Sequence, residues 1–185
     1  MSQAAHRKIT YATTVVISTS EASLLNPYWI KADVRLGIAP RPRGNDWLGD
    51  DVLMLRRAGV EILVSALTAS ESDELGLSEE QSCCTREGIL FVSYPIEDRS
   101  VPSSFSEFSK LIESLDNKLR LGKAVAVHCR AGVGRSSIIV AGLLSRNGAT
   151  PESAFRAIED ARGCSVPDTP EQRQWVERFL TTAKE

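Results

Sequence analysis

Three short runs dominated by apolar residues punctuate the chain, at 60–67, 89–94 and 124–128, each entered soon after a glycine (Gly59, Gly88, Gly122). Runs of this length, rich in Val, Ile and Leu, predict buried strands of a sheet covered on both faces. Between and after them the apolar spacing changes to that of helices. Pro102 is expected to start a helix in which Phe105, Phe108, Leu111, Ile112, Leu115 and Leu119 recur at helical intervals, and Gly122 ends it. Further helices are predicted over about 134–146, closed by Asn147-Gly148, over 151–161 from Pro151, and over 170–182 with Trp175, Val176, Phe179 and Leu180. Upstream, Asn45 or Asp46 is expected to cap a helix running to Ala58, and the acidic stretch 70–87 reads as two helices broken near Gly76 with a solvent-facing acidic surface. Residues 35–39 are a short extended piece, the proline-rich 40–44 a loop, 11–18 a Thr/Val-rich edge strand and 1–8 a flexible tail. Strands alternating with helices predict an α/β fold: residues 9–185 as a single domain, with a central mainly parallel sheet flanked by helices.

Composition narrows the partners. With 42% hydrophobic and 25% charged residues and a formal net charge of −2, the chain is an ordinary globular one with no global field for nucleic acid or an anionic membrane. No apolar run is long enough for membrane insertion, and the threonines within 9–18 argue against a secretory signal. Four cysteines without CxxC spacing and only two histidines predict no metal site and no disulfide framework, as expected of a cytoplasmic protein. No cofactor is called for, and a monomer is expected.

The segment 124–137, AVAVHCRAGVGRSS, changes the picture. A buried strand ends in His128-Cys129, five residues including Gly132 and Gly134 follow, and Arg135 opens a helix. Such a turn aims successive amide N–H groups inward as an anion nest, to which the helix start adds its positive end. Arg130, Ala131, Gly132, Val133, Gly134 and Arg135 would thus surround a phosphate dianion, with the Arg135 fork matching two of its oxygens. Cys129 stands at the base of the nest, where a positive environment favours the thiolate. Ser136 is placed to donate to its sulfur, and His128 to orient the loop from behind.

His128, Cys129, Gly132, Arg135 and Ser136 match in order the HCxxGxxR-Ser signature, so the chain resembles the protein tyrosine phosphatase superfamily. The loop 94–98, the order of Leu75-Gly76-Leu77, Gly88-Ile89 and Pro95-Ile96, and Thr169-x-x-Gln172 resemble the compact dual-specificity, cyclin-dependent-kinase-associated branch over roughly 35–182. The resemblance implies a dual-specificity-phosphatase-like fold and metal-independent hydrolysis of phosphotyrosine, and also of phosphoserine and phosphothreonine, on a phosphorylated protein substrate through a phosphocysteine. It makes Asp98 the general acid, with Glu97 the alternative, and Gln172 a holder of the hydrolytic water. Asp168 departs from the glutamine usual there in tyrosine-specific members, and Arg99 joins Arg130 as a rim cation. The resemblance also raises a disulfide between an oxidised Cys129 and Cys83, Cys84 or Cys164.

Three rival readings remain. Rhodanese-like sulfurtransferases typically have one residue fewer between Cys and Arg than the five found here. Phosphoinositide phosphatases often add lysines to the loop, where this chain has only Arg130. A phosphopeptide-binding module has no need of the acid. Only Tyr11, Tyr28 and Tyr94 occur, so a shallow cleft is expected rather than a deep aromatic one.

Overall fold

The apolar runs become neighbouring parallel strands in the computed structural model, which describes residues 25–31 and 34–182. Among the described residues five strands, β1 (Tyr28–Lys31), β2 (Leu36–Ile38), β3 (Ile62–Ser65), β4 (Leu90–Ser93) and β5 (Val125–His128), form one sheet in the order β1-β2-β5-β3-β4. β2, β5, β3 and β4 run parallel; β1 pairs antiparallel with β2 at the edge. The expected strand 11–18 and tail 1–8 lie outside the described residues.

Side chains alternate across the sheet. Leu36, Ile38, Ile62, Val64, Val125 and Val127 face a core built with Phe108, Ile112, Ile138, Ile139, Phe155 and Val176, carried by α4 (Phe105–Arg120), α5 (Arg135–Arg146), α6 (Pro151–Arg162) and α7 (Pro170–Thr182). Leu63 and Ala126 face a second core with Val52, Leu55 and Cys84, from α1 (Leu48–Arg57) and α3 (Glu80–Arg86). Burial on both faces explains why β3 and β5 read as unbroken apolar runs. The run 89–94, by contrast, supplies an edge strand in which Leu90 is exposed, so it is less buried than its composition predicts.

Three local expectations are corrected. Neither Asn45 nor Asp46 caps α1; Asn45 takes φ 56° at the start of a 3₁₀ turn (Asn45–Trp47) and no side-chain cap bond forms. The cause is tight packing on the turn after α2 (Ala69–Glu74): the Asn45 amide donates to the Gly76 carbonyl at 2.8 Å, and a side chain at Gly44 would strike the Leu75 carbonyl. Pro102 does not begin α4; Ser104 caps it, its hydroxyl accepting from the Glu107 amide at 3.3 Å. Gly76 does break the acidic stretch into α2 and α3, but that stretch is not simply solvent-facing, as shown below.

β5 enters the sheet between β2 and β3, so their carboxyl ends share one edge at a topological switch point, where open α/β sheets bind ligands. The segment 129–134 emerges there. Among the described residues no helix is long and apolar enough to cross a membrane.

Candidate active site

The loop from Cys129 to Arg135 curls because Gly132 adopts φ 68°, a region that L side chains rarely occupy. Gly134 is needed for a different reason: a Cβ there would sit 2.8 Å from Gln172 Oε1. The curl brings the Gly132 amide onto the Cys129 sulfur, donating at 3.3 Å, while Ser136 Oγ lies 3.5 Å from the same atom. The Ser137 hydroxyl ties the Val133 carbonyl to the first turn of α5.

Arg135 is buried, and its fork is already held. Nη1 and Nη2 donate to the two carboxylate oxygens of Glu71 at 2.6 and 2.9 Å, Nη1 donates to the Ile96 carbonyl at 2.9 Å, and Nη2 faces Asp98 Oδ1 at 2.9 Å. Burial works against its charge, but the bonds to Glu71 and the neighbouring Cys129 and Asp98 hold Arg135 above its ordinary pKa. Burial likewise opposes the Glu71 carboxylate, and bonds from Arg135 and the Thr68 amide still lower it below the usual glutamate range. Glu71 also closes a capping box with Thr68 at the start of α2.

The acidic stretch therefore supplies one partly buried and one buried support. Besides Glu71, Glu80 on α3 is only 2% exposed and its Oε1 faces His128 Nε2 at 3.0 Å, out of hydrogen-bond alignment. Sequence reading misassigned both to a solvent-facing surface. Thr68-Ala-Ser-Glu71, a capping-box pattern directly after a strand, was the available signal for Glu71; none pointed to Glu80. Glu80→Ala leaves the His128 imidazole buried without its partner and is expected to cost roughly 1–3 kcal/mol in urea unfolding. A change below about 0.5 kcal/mol, the size of a surface substitution, would deny the pair a structural role.

Cys129, Arg130, Ala131, Val133, Gly134, Arg135, Asp98, Arg99, Asp168 and Gln172 line one cavity of about 210 Å³. Asp98 is 60% exposed and reaches into it, whereas neighbouring Glu97 is exposed and does not line it. Gln172 is buried: Nε2 donates to the Ser100 carbonyl at 3.0 Å and Oε1 accepts from the Thr169 amide at 3.3 Å, so it fastens the 96–100 loop to the start of α7. The rim cations are paired, Arg130 with Glu74 at 2.8 Å and Arg99 with Asp168 at 3.5 Å.

Cys83 and Cys84 are buried in the second core, on the opposite face of the sheet from Cys129, and burial pushes the Cys84 thiol up to about 12; Cys164 is exposed. Among the described residues no group of three or more His, Cys, Asp or Glu side chains is placed to hold a metal.

The fold and signature loop define a phosphatase-type domain, and the chain belongs to the dual specificity phosphatase catalytic domain family, whose model matches residues 65–179. It is similar to cyclin-dependent kinase inhibitor 3 of Rattus norvegicus, 24% identical over 131 residues that make up 70% of this chain and 61% of that relative. The chain thus spans less than two thirds of the curated relative. Among solved structures, kinase associated phosphatase with its catalytic-site cysteine changed to serine superposes with a TM-score of 0.74 at 22% identity, covering 80% of this chain and 87% of that one. PTPMT1 in complex with PI(5)P superposes with a TM-score of 0.68 at 21% identity, covering 84% and 96%. The α/β class, the mainly parallel sheet and the dual-specificity branch expected from the sequence agree with these findings.

Proposed function

We propose that this chain is a metal-independent phosphomonoesterase that dephosphorylates proteins at phosphotyrosine, and also at phosphoserine and phosphothreonine, through a phosphocysteine on Cys129. The observation that carries the reading is one cavity in which the Cys129 sulfur, the Arg135 guanidinium and the Asp98 carboxyl converge.

In the first step the Cys129 thiolate attacks phosphorus in line: the S–P bond forms and the P–O bond to the substrate breaks. Loop amides and the edge of Arg135 turned to the cavity neutralise the equatorial oxygens. Asp98, protonated, gives its proton to the departing oxygen. The incoming dianion takes over the Arg135 edge that Asp98 occupies in the free site, so releasing the carboxyl and binding the phosphate are one event. In the second step water attacks phosphorus, its proton passes to Asp98, the S–P bond breaks and the thiolate returns, steadied by the Gly132 amide and the Ser136 hydroxyl. Gln172 serves this step by holding the Asp98 loop against α7 and, with Asp98, bounding the space the water enters.

Two features favour phosphoproteins carrying single phosphates over phosphoinositides, although one similar structure bears PI(5)P. Both rim arginines are paired with carboxylates, so among the described residues lining the cavity none offers an unengaged cation to a second phosphate. Among the described residues the lining also lacks aromatic side chains, which suits a shallow cleft open to several phosphoresidues.

The test is turnover of phosphopeptides and inositol lipids in the presence of a chelator. Wild type is expected to hydrolyse the peptides, Asp98→Asn to lose about a hundredfold in kcat, and Glu97→Gln to behave as wild type. A loss confined to Glu97→Gln would move the acid; phosphopeptide binding without wild-type turnover would make the domain a binding module; preference for the lipids would overturn the substrate class.

A further inference from the structure

α6 ends at Arg162, where Gly163 in the left-handed conformation (φ 68°) turns the chain away, so the last side chain of the helix reaches back over the signature loop. Its Nε donates to the Gly132 carbonyl at 2.9 Å and its Nη2 to the Ala131 carbonyl at 3.3 Å. The guanidinium itself lies over the Tyr28 ring, 4.1 Å from its centroid, so the antiparallel edge strand β1 supports it from the far side.

These two carbonyls are not arbitrary. A trans peptide is planar, and its N–H and C=O point in opposite directions. The Ala131 carbonyl shares a peptide plane with the Gly132 amide, the group that donates to the Cys129 sulfur at 3.3 Å. The Gly132 carbonyl shares the next plane with the Val133 amide. Holding both oxygens outward therefore holds both N–H groups toward the sulfur and the phosphate position. Gly132, with no Cβ and a positive φ, is where such planes most easily rotate.

We infer that Arg162, supported by Tyr28, is a positioning residue that fixes the peptide planes of the anion nest and so sets both anion affinity and the reactivity of Cys129. The inference rests on the phosphatase reading above, but it is testable without turnover. Arg162→Met keeps the aliphatic stem and removes both donors. It is expected to weaken tungstate binding measured by calorimetry about tenfold, to slow iodoacetamide alkylation of Cys129 at pH 6, and to lower kcat/KM by about 10–100-fold, somewhat less than loss of a direct oxyanion donor. Arg162→Lys keeps the charge but cannot span two carbonyls, and is expected to recover only part of the loss. Arg156→Met, removing the same charge from an exposed site on the same helix, is expected to match wild type.

Unchanged tungstate affinity and alkylation in Arg162→Met would overturn the inference, as would full recovery in Arg162→Lys, which would reduce the effect to charge. Should Arg162→Met fail to fold by circular dichroism, Tyr28→Ala, at a half-exposed edge position, carries the test: it is expected to shift tungstate binding and alkylation the same way by a smaller factor, and no shift overturns the proposal. Tight tungstate binding by a wild type that hydrolyses nothing would instead sink the catalytic reading and leave this one standing.

Discussion

Cys129→Ser is expected to abolish turnover, lowering kcat by about 10⁴-fold or more, while phosphopeptide affinity stays within a few-fold of wild type. Both halves follow from the same geometry. The proposed contacts to the dianion come from loop amides and Arg135, which the substitution leaves in place. The proposed nucleophile is lost because a serine hydroxyl holds its proton far more tightly than a thiol, and among the described residues the hydrogen-bond neighbours of the Cys129 sulfur are the Gly132 amide and the Ser136 hydroxyl, neither of them a base. Asp98 is no substitute, since it faces Arg135 and its proposed duty is to the leaving oxygen. Acid-quench trapping of labelled phosphoenzyme checks the other side of the claim, with label expected on wild type and absent from the variant. Full activity in Cys129→Ser, with contaminating phosphatase excluded by active-site titration, would end the phosphocysteine mechanism.

What could be read from sequence and what could not divides along contact distance in the chain. The signature loop was legible because strand, turn and helix start are contiguous: a seven-residue window contains Cys129, the glycines and Arg135, and the apolar run before it announces the strand. The same holds for α4, α6 and α7, whose apolar stripes declare which face meets the core. The supports of the loop were not legible in this way. Glu71 meets Arg135 across 64 positions, Arg162 meets the Gly132 carbonyl across 30, and Glu80 reaches His128 from another helix. A carboxylate in an acidic stretch has the same local signature whether it faces water or a buried partner; only the placing of α2 after the carboxyl end of β3, and of α3 against the second core, distinguishes the two. β1 escaped notice for a different reason: Tyr28-Trp29-Ile30-Lys31 is apolar enough, but four residues are too few to show a period, and an edge strand is defined by its partner β2. Asn45 shows the converse failure: a good capping residue is overruled when its backbone is already committed to the Gly76 carbonyl.

The support most tightly coupled to the chemistry is the partly buried Glu71, and it governs what Arg135 variants should do. Arg135→Lys is expected to lower kcat/KM by about 10³-fold or more, in the range by which a transition-state arginine assists phosphoryl transfer. A lysine keeps the charge but offers one compact ammonium. It cannot satisfy both Glu71 oxygens and the Ile96 carbonyl while presenting a second edge to phosphate, so the loss falls on kcat as well as on binding. Glu71→Gln tests the support separately. It keeps the size and the capping acceptor but removes the charge that orients the fork, and a fall in kcat smaller than that of Arg135→Lys is expected. The pH dependence of stability gives an independent readout. Because the Glu71 carboxyl lies below its ordinary value of 4.5 in the folded state, its contribution is fully present above that pH and is lost as pH falls through the folded value. Thermal stability should therefore fall less steeply as pH drops below 4.5 in Glu71→Gln than in wild type, with Asp98 intact in both. Identical slopes, together with wild-type kcat in Glu71→Gln, would mean that Arg135 is positioned by the Ile96 carbonyl and the loop alone.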